Sequence, residues 1–519
     1  MTGTFSTLDW IIVSCYLLTL FGMGWFFASF KTANVKDYFL GSSNMPYLVV
    51  AFSVIATTQS AATFMGGPDQ GYRGDFTYLA ANIGAIIASL FIGKVLIPRF
   101  YALKATTVYE LLDVRYGSGA MKSAGLMYLI GRLFASGARL YLAAIAISMI
   151  LYGNISANSI ISASFILVML GFLITFLGGI RSIIWTDMFQ FLMYSFSAAA
   201  TLYFLCDAIP LNLGSVISTL EMTPDGENKL RLFNLDINFT DPYAMISIMV
   251  GMVLLYIASF GLDQDITQRL LTCKNGNEGA KALILSVIIG IPLIGLFISI
   301  GHMLYIFYDR PDIMSKSTTI ISDSKQLRQD VNIFMYYILN ELPSGLKGLV
   351  TVGVIAAAVS TINSGLNSMS SVIVQDFYRP FTMRTQIESD RHYVLAGQLS
   401  MAFVGLGLFA MSVLCFYWQR YSGLPLLDFA LSVMVFAYSG LLGVYFTAIF
   451  TNRGSTRSVI WALVTGFLVT LAQQNYVVDL FSLPSQLKSL AFTWQLCIGT
   501  TAAFMVCLIG DTSASKARE

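Results

Sequence analysis

Runs of apolar residues long enough to cross a bilayer recur from one end of this chain to the other, with short polar stretches between them. They fall near 9–30, 46–68, 76–98, 122–151, 157–178, 182–206, 242–262, 280–308, 346–375, 393–418, 427–451, 456–474 and 487–509. A spanning helix needs roughly 20 apolar residues, and runs so closely spaced leave no room for a water-facing domain. The pattern predicts an all-α polytopic membrane protein of about 13 transmembrane helices. Two connections are longer: 207–241, acidic and polar around Pro224-Asp225-Gly226, and 309–345, holding Arg310-Pro311 and Leu342-Pro343-Ser344-Gly345. A short helix is expected in each.

Two of the runs are interrupted. The second carries Ala56-Thr57-Thr58-Gln59-Ser60-Ala61-Ala62-Thr63 and then Gly66-Gly67-Pro68; the seventh ends Ile257-Ala258-Ser259-Phe260-Gly261-Leu262-Asp263-Gln264-Asp265. Five spans separate one from the other. Unwound backbone at membrane depth is tolerated only where protein or a cavity surrounds it. Interruptions at matching places in two halves of a chain point to a carrier's binding site. The bland alternative is an unbroken helix whose hydroxyls bond back to its own carbonyls.

Composition agrees with the bilayer: 56% of the residues are hydrophobic and 11% charged, where a soluble chain carries about a quarter charged. The net charge of +2 says little about partners, but its placement orients the chain. With the first helix running from outside to inside, Lys31, Lys36, Arg99, Lys104, Arg115, Lys122, Arg181, Arg269, Lys274, Lys281, Arg379, Arg384, Arg391, Arg453, Arg457, Lys516 and Arg518 fall in cytoplasmic segments. Short outer loops keep only Arg73, Arg420 and Lys488. Positive charge stays inside, so the amino terminus is expected outside and the carboxyl terminus in the cytoplasm of a plasma membrane, a bacterial inner membrane by default. No basic stretch or cleavage site marks residues 9–30 as a signal peptide, and they are read as a retained helix.

Enzymatic chemistry finds little footing. The six cysteines lack metal-ligand spacing and read as free thiols. His302 and His392 have no partner pattern, and no phosphate loop, nucleophile elbow or zinc motif occurs. A solute sensor would need an appended module, and only Gly510 to Glu519 follows the last run.

Charge inside the hydrocarbon is the more informative signal, because each such group costs at least ~2.5–3.5 kcal/mol at mid-helix. Lys94, Arg132 and Arg139 remain within spans, Lys94 close enough to an end to snorkel. Arg132 and Arg139 stand two turns apart on one face; either could clamp a carboxylate with its planar fork or pair within the bundle. Asp187 lies just over a turn past Arg181, suited to a helix-end ion pair or to a cation site. In the ninth run Ala357, Ser360, Thr361, Ser364 and Ser368 share a face. Sodium, like other hard cations, takes oxygen ligands; hydroxyls supply them, and an unwound helix nearby adds carbonyls. Close packing of small residues would produce a similar stripe.

Together, Gly178-Gly179-Ile180 with Ile184-Trp185-Thr186-Asp187-Met188-Phe189-Gln190, then Asp263-Gln264 with Gln268-Arg269, then the Ala/Ser/Thr stripe ending Leu366-Asn367-Ser368 resemble the sodium/solute symporter family. The resemblance implies one membrane domain over 1–519 with a five-plus-five inverted-repeat, leucine-transporter-like core: an extra helix at 9–30, repeats at 46–207 and 242–451, and two further helices at 456–509. It implies a main sodium site on the carbonyls of Ala56, Gln59 and Ala357 and the hydroxyls of Ser360 and Thr361. A second site would use Asp187, Ser360, Asn363 and Ser364, although the family pattern has serine where this chain has Asn363. The first broken helix is most similar to sialic acid carriers. There Thr58, Ser60, Thr63, a residue at the place of Asn82 (glutamine in those carriers) and an arginine of the fourth span would face the solute; here Arg132 and Arg139 flank that arginine's place. The implied activity is sodium-coupled symport of a small organic solute, carboxylate-bearing by the arginines, with a neutral sugar or amino acid, or proton coupling, as alternatives. The expected partners are the solute, sodium and the bilayer, with no nucleic acid, no organic cofactor and no enzymatic reaction.

Overall fold

The computed structural model describes residues 5–28, 35–314, 333–382, 390–422, 424, 426–482 and 490–511. Lys31, Arg384, Lys488, Lys516 and Arg518, used above for orientation, lie outside them, as does the stretch 315–332 of the second long connection. The described chain is helical almost throughout.

In chain order the long helices are α1 (Thr7–Ala28), α2a (Tyr47–Thr58) and α2b (Ala61–Arg73), α3 (Thr77–Ala102), α4 (Ser118–Tyr152), α5 (Ala157–Phe176), α6 (Gly178–Ala208), α7a (Met245–Leu262) with the short α7b (Gln264–Leu270), α8 (Gly276–Asp309), α9 (Leu346–Thr382), α10 (Arg391–Arg420), α11 (Leu427–Phe450), α12 (Thr456–Ala472) and α13 (Phe492–Leu508). Among the described residues ten helices are long and apolar enough to span, eleven when α2a and α2b count as one. The expectation of thirteen adds α12 and α13, apolar but of 17 residues each. Both long connections contain short helices, Leu213–Glu221 in one and Pro311–Met314 and Ile333–Asn340 in the other.

Local chemistry sets the boundaries. α4 stops at Gly153, whose φ of +67° closes a left-handed cap. The Ser455 hydroxyl accepts from Ser458 N while the Ser458 hydroxyl accepts from Ser455 N, a capping box that starts α12. Between α5 and α6, Gly179 takes φ +58°, and a side chain there would collide with the carbonyl of Tyr38. The Gly178-Gly179 pair is therefore a hinge required by backbone geometry.

α9 is the axis of the bundle: 94% of its most apolar window is buried, against 22% for α1 at the rim. It packs along α5 and α6, with α4, α10 and α1 around it. On the other side α2b crosses α8 with the backbones almost touching. A Cβ on Gly71 would run into the carbonyl of Ile298, and one on Gly301 into that of Pro68. Small residues permit such approach where lipid offers no hydrophobic drive to helix association.

Candidate functional site

α2 breaks where its polar patch lies. Gln59 N still bonds Ile55 O at 2.8 Å, but Gln59 itself is extended at φ −84°, ψ 91°. Ser60 follows as the cap of α2b, its hydroxyl accepting from Ala62 N at 3.2 Å. The two halves meet at 63°. Thr57 and Thr58 bond back to the carbonyls of Ser53 and Ile55. Thr57 Oγ1 also lies 3.2 Å from Ser364 Oγ, so the break rests against the hydroxyl stripe of α9.

On α9 the expected ligands are bonded within the protein. Thr361 Oγ1 donates to Ala357 O at 3.0 Å, Ser364 Oγ to Ser360 O at 2.8 Å, and Ser360 Oγ to Asp187 Oδ1 at 2.7 Å. Asn363 turns the other way. With its amide nitrogen toward the acceptors around it, it donates to Gly171 O, Thr175 Oγ1 and Val359 O at 3.0–3.2 Å, on the side of α5.

Behind this face runs a buried chain of charges. The Arg269 guanidinium donates to Asp187 Oδ2 at 3.0 Å, Asp265 Oδ1 at 2.8 Å, Ser364 Oγ at 2.7 Å and Ser53 Oγ at 2.9 Å. Ser53 in turn donates to Asp187 Oδ2 at 2.6 Å. Asp265 also holds Arg132, whose other nitrogen reaches Asp263 Oδ2 at 3.1 Å, and Tyr438 OH donates to the same oxygen at 2.6 Å. Arg269 is 1% exposed, buried in the bundle and not facing water as a residue of a cytoplasmic loop would. The chain does leave its helix after Leu262, but Asp263 caps α7b and folds it back into the bundle. Gln264 bonds Val108 N and Thr106 O, and Gln268 bonds Phe39 O, fixing that turn against the loops below α3 and α1. Asp263, Asp265, Arg269, Ser53 and Tyr438 were not singled out from sequence as a charged core. The available signal was the i, i+4 spacing of Asp265 and Arg269 inside a polar segment that also holds Gln264 and Gln268.

Beside the chain opens a cavity of about 960 Å³, mouth included, between α2, α3, α4, α7a, α8 and α11. Thr58, Ser60, Thr63, Asn82, Arg132 and Arg139 all line it, together with Tyr256, Ser259, Ser286, Met434 and Tyr438. The two arginines differ in state. Arg132 is paired through both terminal nitrogens with two carboxylates, its Nε buried without a partner among the described residues, whereas Arg139, partly buried, reaches the sulfur of Met434 at 3.5 Å, with no carboxylate in ion-pair range among the described residues. Asn82 donates to Leu79 O at 2.9 Å, and its amide oxygen has no hydrogen bond among the described residues.

A helical bundle with two broken helices, a polar cavity between them and desolvated charge behind it is the architecture of an alternating-access membrane carrier. The family model described as "Sodium:solute symporter family" matches residues 38–466, and the chain belongs to that family. It is 25% identical over 476 residues to a sodium/sialic acid symporter of Aliivibrio fischeri, covering 90% of this chain and 88% of that one. Identity to a sodium/sialic acid symporter of Proteus mirabilis is also 25%, with 90% of each chain covered. Identity to human sodium-coupled monocarboxylate transporter 1 is 23%, over 90% of this chain and 73% of the other. A solved Na+-coupled sialic acid symporter in a substrate-bound outward-open state superposes with TM-score 0.78 over 98% of both chains at 23% identity. A nucleobase–cation symporter in a closed conformation gives 0.52 at 16% identity, over 91% of this chain and 92% of that one. The fold is therefore the leucine-transporter-like one expected, in a multi-pass membrane protein whose coupling ion is sodium.

Proposed function

We propose that this chain imports a small carboxylate-bearing solute, of the sialic acid kind, with one sodium ion per cycle. The observation that carries the reading is Arg139: in the cavity it is the guanidinium without a carboxylate among the described residues, while Arg132 is ion-paired with Asp263 and Asp265. An unpaired cation withdrawn from water is costly, and a solute carboxylate would offset that cost. Thr58, Ser60, Thr63 and Asn82 then contact the rest of the solute, and Arg132 acts as a positioning residue that holds α7b against α4.

Sodium binds at the α2 break, on the carbonyls of Ala56, Gln59 and Ala357 and the hydroxyls of Ser360 and Thr361. Beyond Ile55 the α2a ladder has ended, which supports free carbonyls there. Sodium on this site ties α2 to α9 and holds the cavity open to the outside; closure over the solute and opening inward release both. At Asp187 the guanidinium of Arg269 already supplies the positive charge and takes up Ser364, and Asn363 faces α5. This supports one ion rather than two, with the second site closed by the protein's own cation.

The repeats are α2–α6 and α7–α11, α12 and α13 complete thirteen crossings, the amino terminus faces outward, and the membrane is a bacterial inner membrane. The role is carriage without catalysis, in keeping with the transporters named above. The test is uptake of sialic acid into proteoliposomes under an inward sodium gradient. Gradient-dependent accumulation in the wild type and its loss in Arg139→Gln are expected. Equal uptake by Arg139→Gln, or by the wild type in sodium-free buffer with a proton gradient, would overturn the reading.

A further inference from the structure

The break in α2 holds one polar side chain whose role the preceding reading leaves unassigned. The side chains of Thr57, Thr58 and Ser60 each make one bond to nearby backbone. That of Gln59, between them, makes none among the described residues. Its side chain lines the cavity, 8% exposed, and lies beside α8, with Nε2 3.7 Å from where a Cβ on Gly290 would stand. Its Oε1 is buried without a hydrogen-bond partner among the described residues, and no bond is made by Nε2. A buried amide wants both its donor and its acceptor met, and neither the helix ladder nor a neighbouring side chain meets them here.

The surroundings restrict what could. Gly290, Ile294 and Val287 present no polar side chain on the α8 wall beside Gln59, and Ser286 has already spent its hydroxyl hydrogen on Leu283 O. The partner must therefore come from the cavity. Arg139 is in the same cavity, so a solute anchored by its carboxylate there still has an unsatisfied amide to meet elsewhere along its length.

We propose that the Gln59 side chain is a specificity-determining residue that reads a hydroxyl or acylamino group of the solute. Resting on the carboxylate-symport reading, this narrows the solute to a polar, polyfunctional acid and selects against an unsubstituted short monocarboxylate. A site built to hydrogen-bond such a group rejects analogues lacking it strongly, because its own polar atoms stay unpaired. The same residue would then carry both halves of coupling, its main-chain carbonyl on sodium and its amide on the solute. Solute binding would fix the backbone torsion that aims that carbonyl.

The experiment compares sialic acid with pyruvate as sodium-driven substrates of wild type, Gln59→Leu and Gln59→Asn in proteoliposomes. Wild type is expected to prefer sialic acid by at least 100-fold in kcat/KM, and Gln59→Leu to reduce that preference at least tenfold, mostly through KM for sialic acid. Gln59→Asn, which keeps the amide on a shorter arm, should fall between them, and it carries the test if Gln59→Leu does not fold. A selectivity unchanged within twofold in both variants, or a wild type that prefers pyruvate, overturns the proposal while leaving carboxylate symport standing. A wild type that accumulates neither acid with sodium overturns the underlying reading and this inference with it.

Discussion

Transport of an anionic solute by this protein should be electrically silent, and the reason lies in the charge balance of the cluster beside the cavity. It holds three carboxylates, Asp187, Asp263 and Asp265, and three guanidiniums, Arg132, Arg139 and Arg269. Those six groups balance without ion or solute. One sodium and one monocarboxylate keep the cluster neutral, whereas a second sodium would leave a net positive charge where each unbalanced ion costs several kcal/mol. With a one-to-one ratio no net charge crosses the membrane, and the electrical potential does no work on the cycle. A tenfold sodium ratio then supplies about 1.4 kcal/mol and sustains about a tenfold solute ratio. A second sodium, or an uncharged solute, would add about 2.3 kcal/mol per 100 mV, roughly a fifty-fold rise in accumulation.

The assay is steady-state accumulation of sialic acid in proteoliposomes at a fixed sodium ratio, with the potential set to zero or to −100 mV inside by a potassium gradient and ionophore. The ratio should stay the same within twofold, and a solid-supported-membrane recording should show no sustained current. A fifty-fold rise with potential would refute the assignment of Arg269 as the resident cation at Asp187. Counting labelled sodium per solute would then tell whether a second ion enters.

The two arginines of α4 should separate cleanly. Arg132→Ala leaves Asp263 buried with no cation while Asp265 keeps Arg269, and should cost about 3–5 kcal/mol of stability, seen as a large drop in thermal midpoint in detergent. Arg139→Gln breaks no ion pair and should fold normally while raising KM for the carboxylate at least tenfold. Replacing Ser360 and Thr361 together with alanine should abolish sodium-dependent uptake and the stabilisation that sodium gives in a thermal shift; retention of both would remove the main ion site. Gly301→Val should prevent the α2b–α8 crossing, because a Cβ there meets the carbonyl of Pro68, and the expected readout is loss of monodisperse protein in size-exclusion chromatography.

Much of the fold was legible because lipid makes the pattern strict. Each span of the core had to be a continuous apolar run, and the two runs that were not continuous marked the site. Thr58, Ser60, Thr63, Asn82, Arg132 and Arg139, scattered over α2, α3 and α4, do line one cavity. What hydropathy could not separate was the state of the arginines. Their shared helical face says that both look the same way, and only the return of α7b into the bundle, carrying Asp263 and Asp265, gives one of them a partner.

The same blindness displaced Arg269. A basic residue between two apolar runs is ordinarily a loop residue held in water, and the seven residues of α7b are as polar as any loop. Polar backbone and side chains are excluded from lipid but not from the interior of a bundle, and averaging along a sequence cannot tell the two apart. The distinguishing quantity is complementarity. A loop needs water for its charges, whereas Asp263, Asp265 and Arg269 find Arg132, Asp187, Ser53 and Ser364 in the surrounding helices. A polar segment whose charges all have counterparts at membrane depth in other spans is better read as core. On that criterion Arg139, the α4 guanidinium with no carboxylate in ion-pair range among the described residues, is where the proposed solute anion would bind.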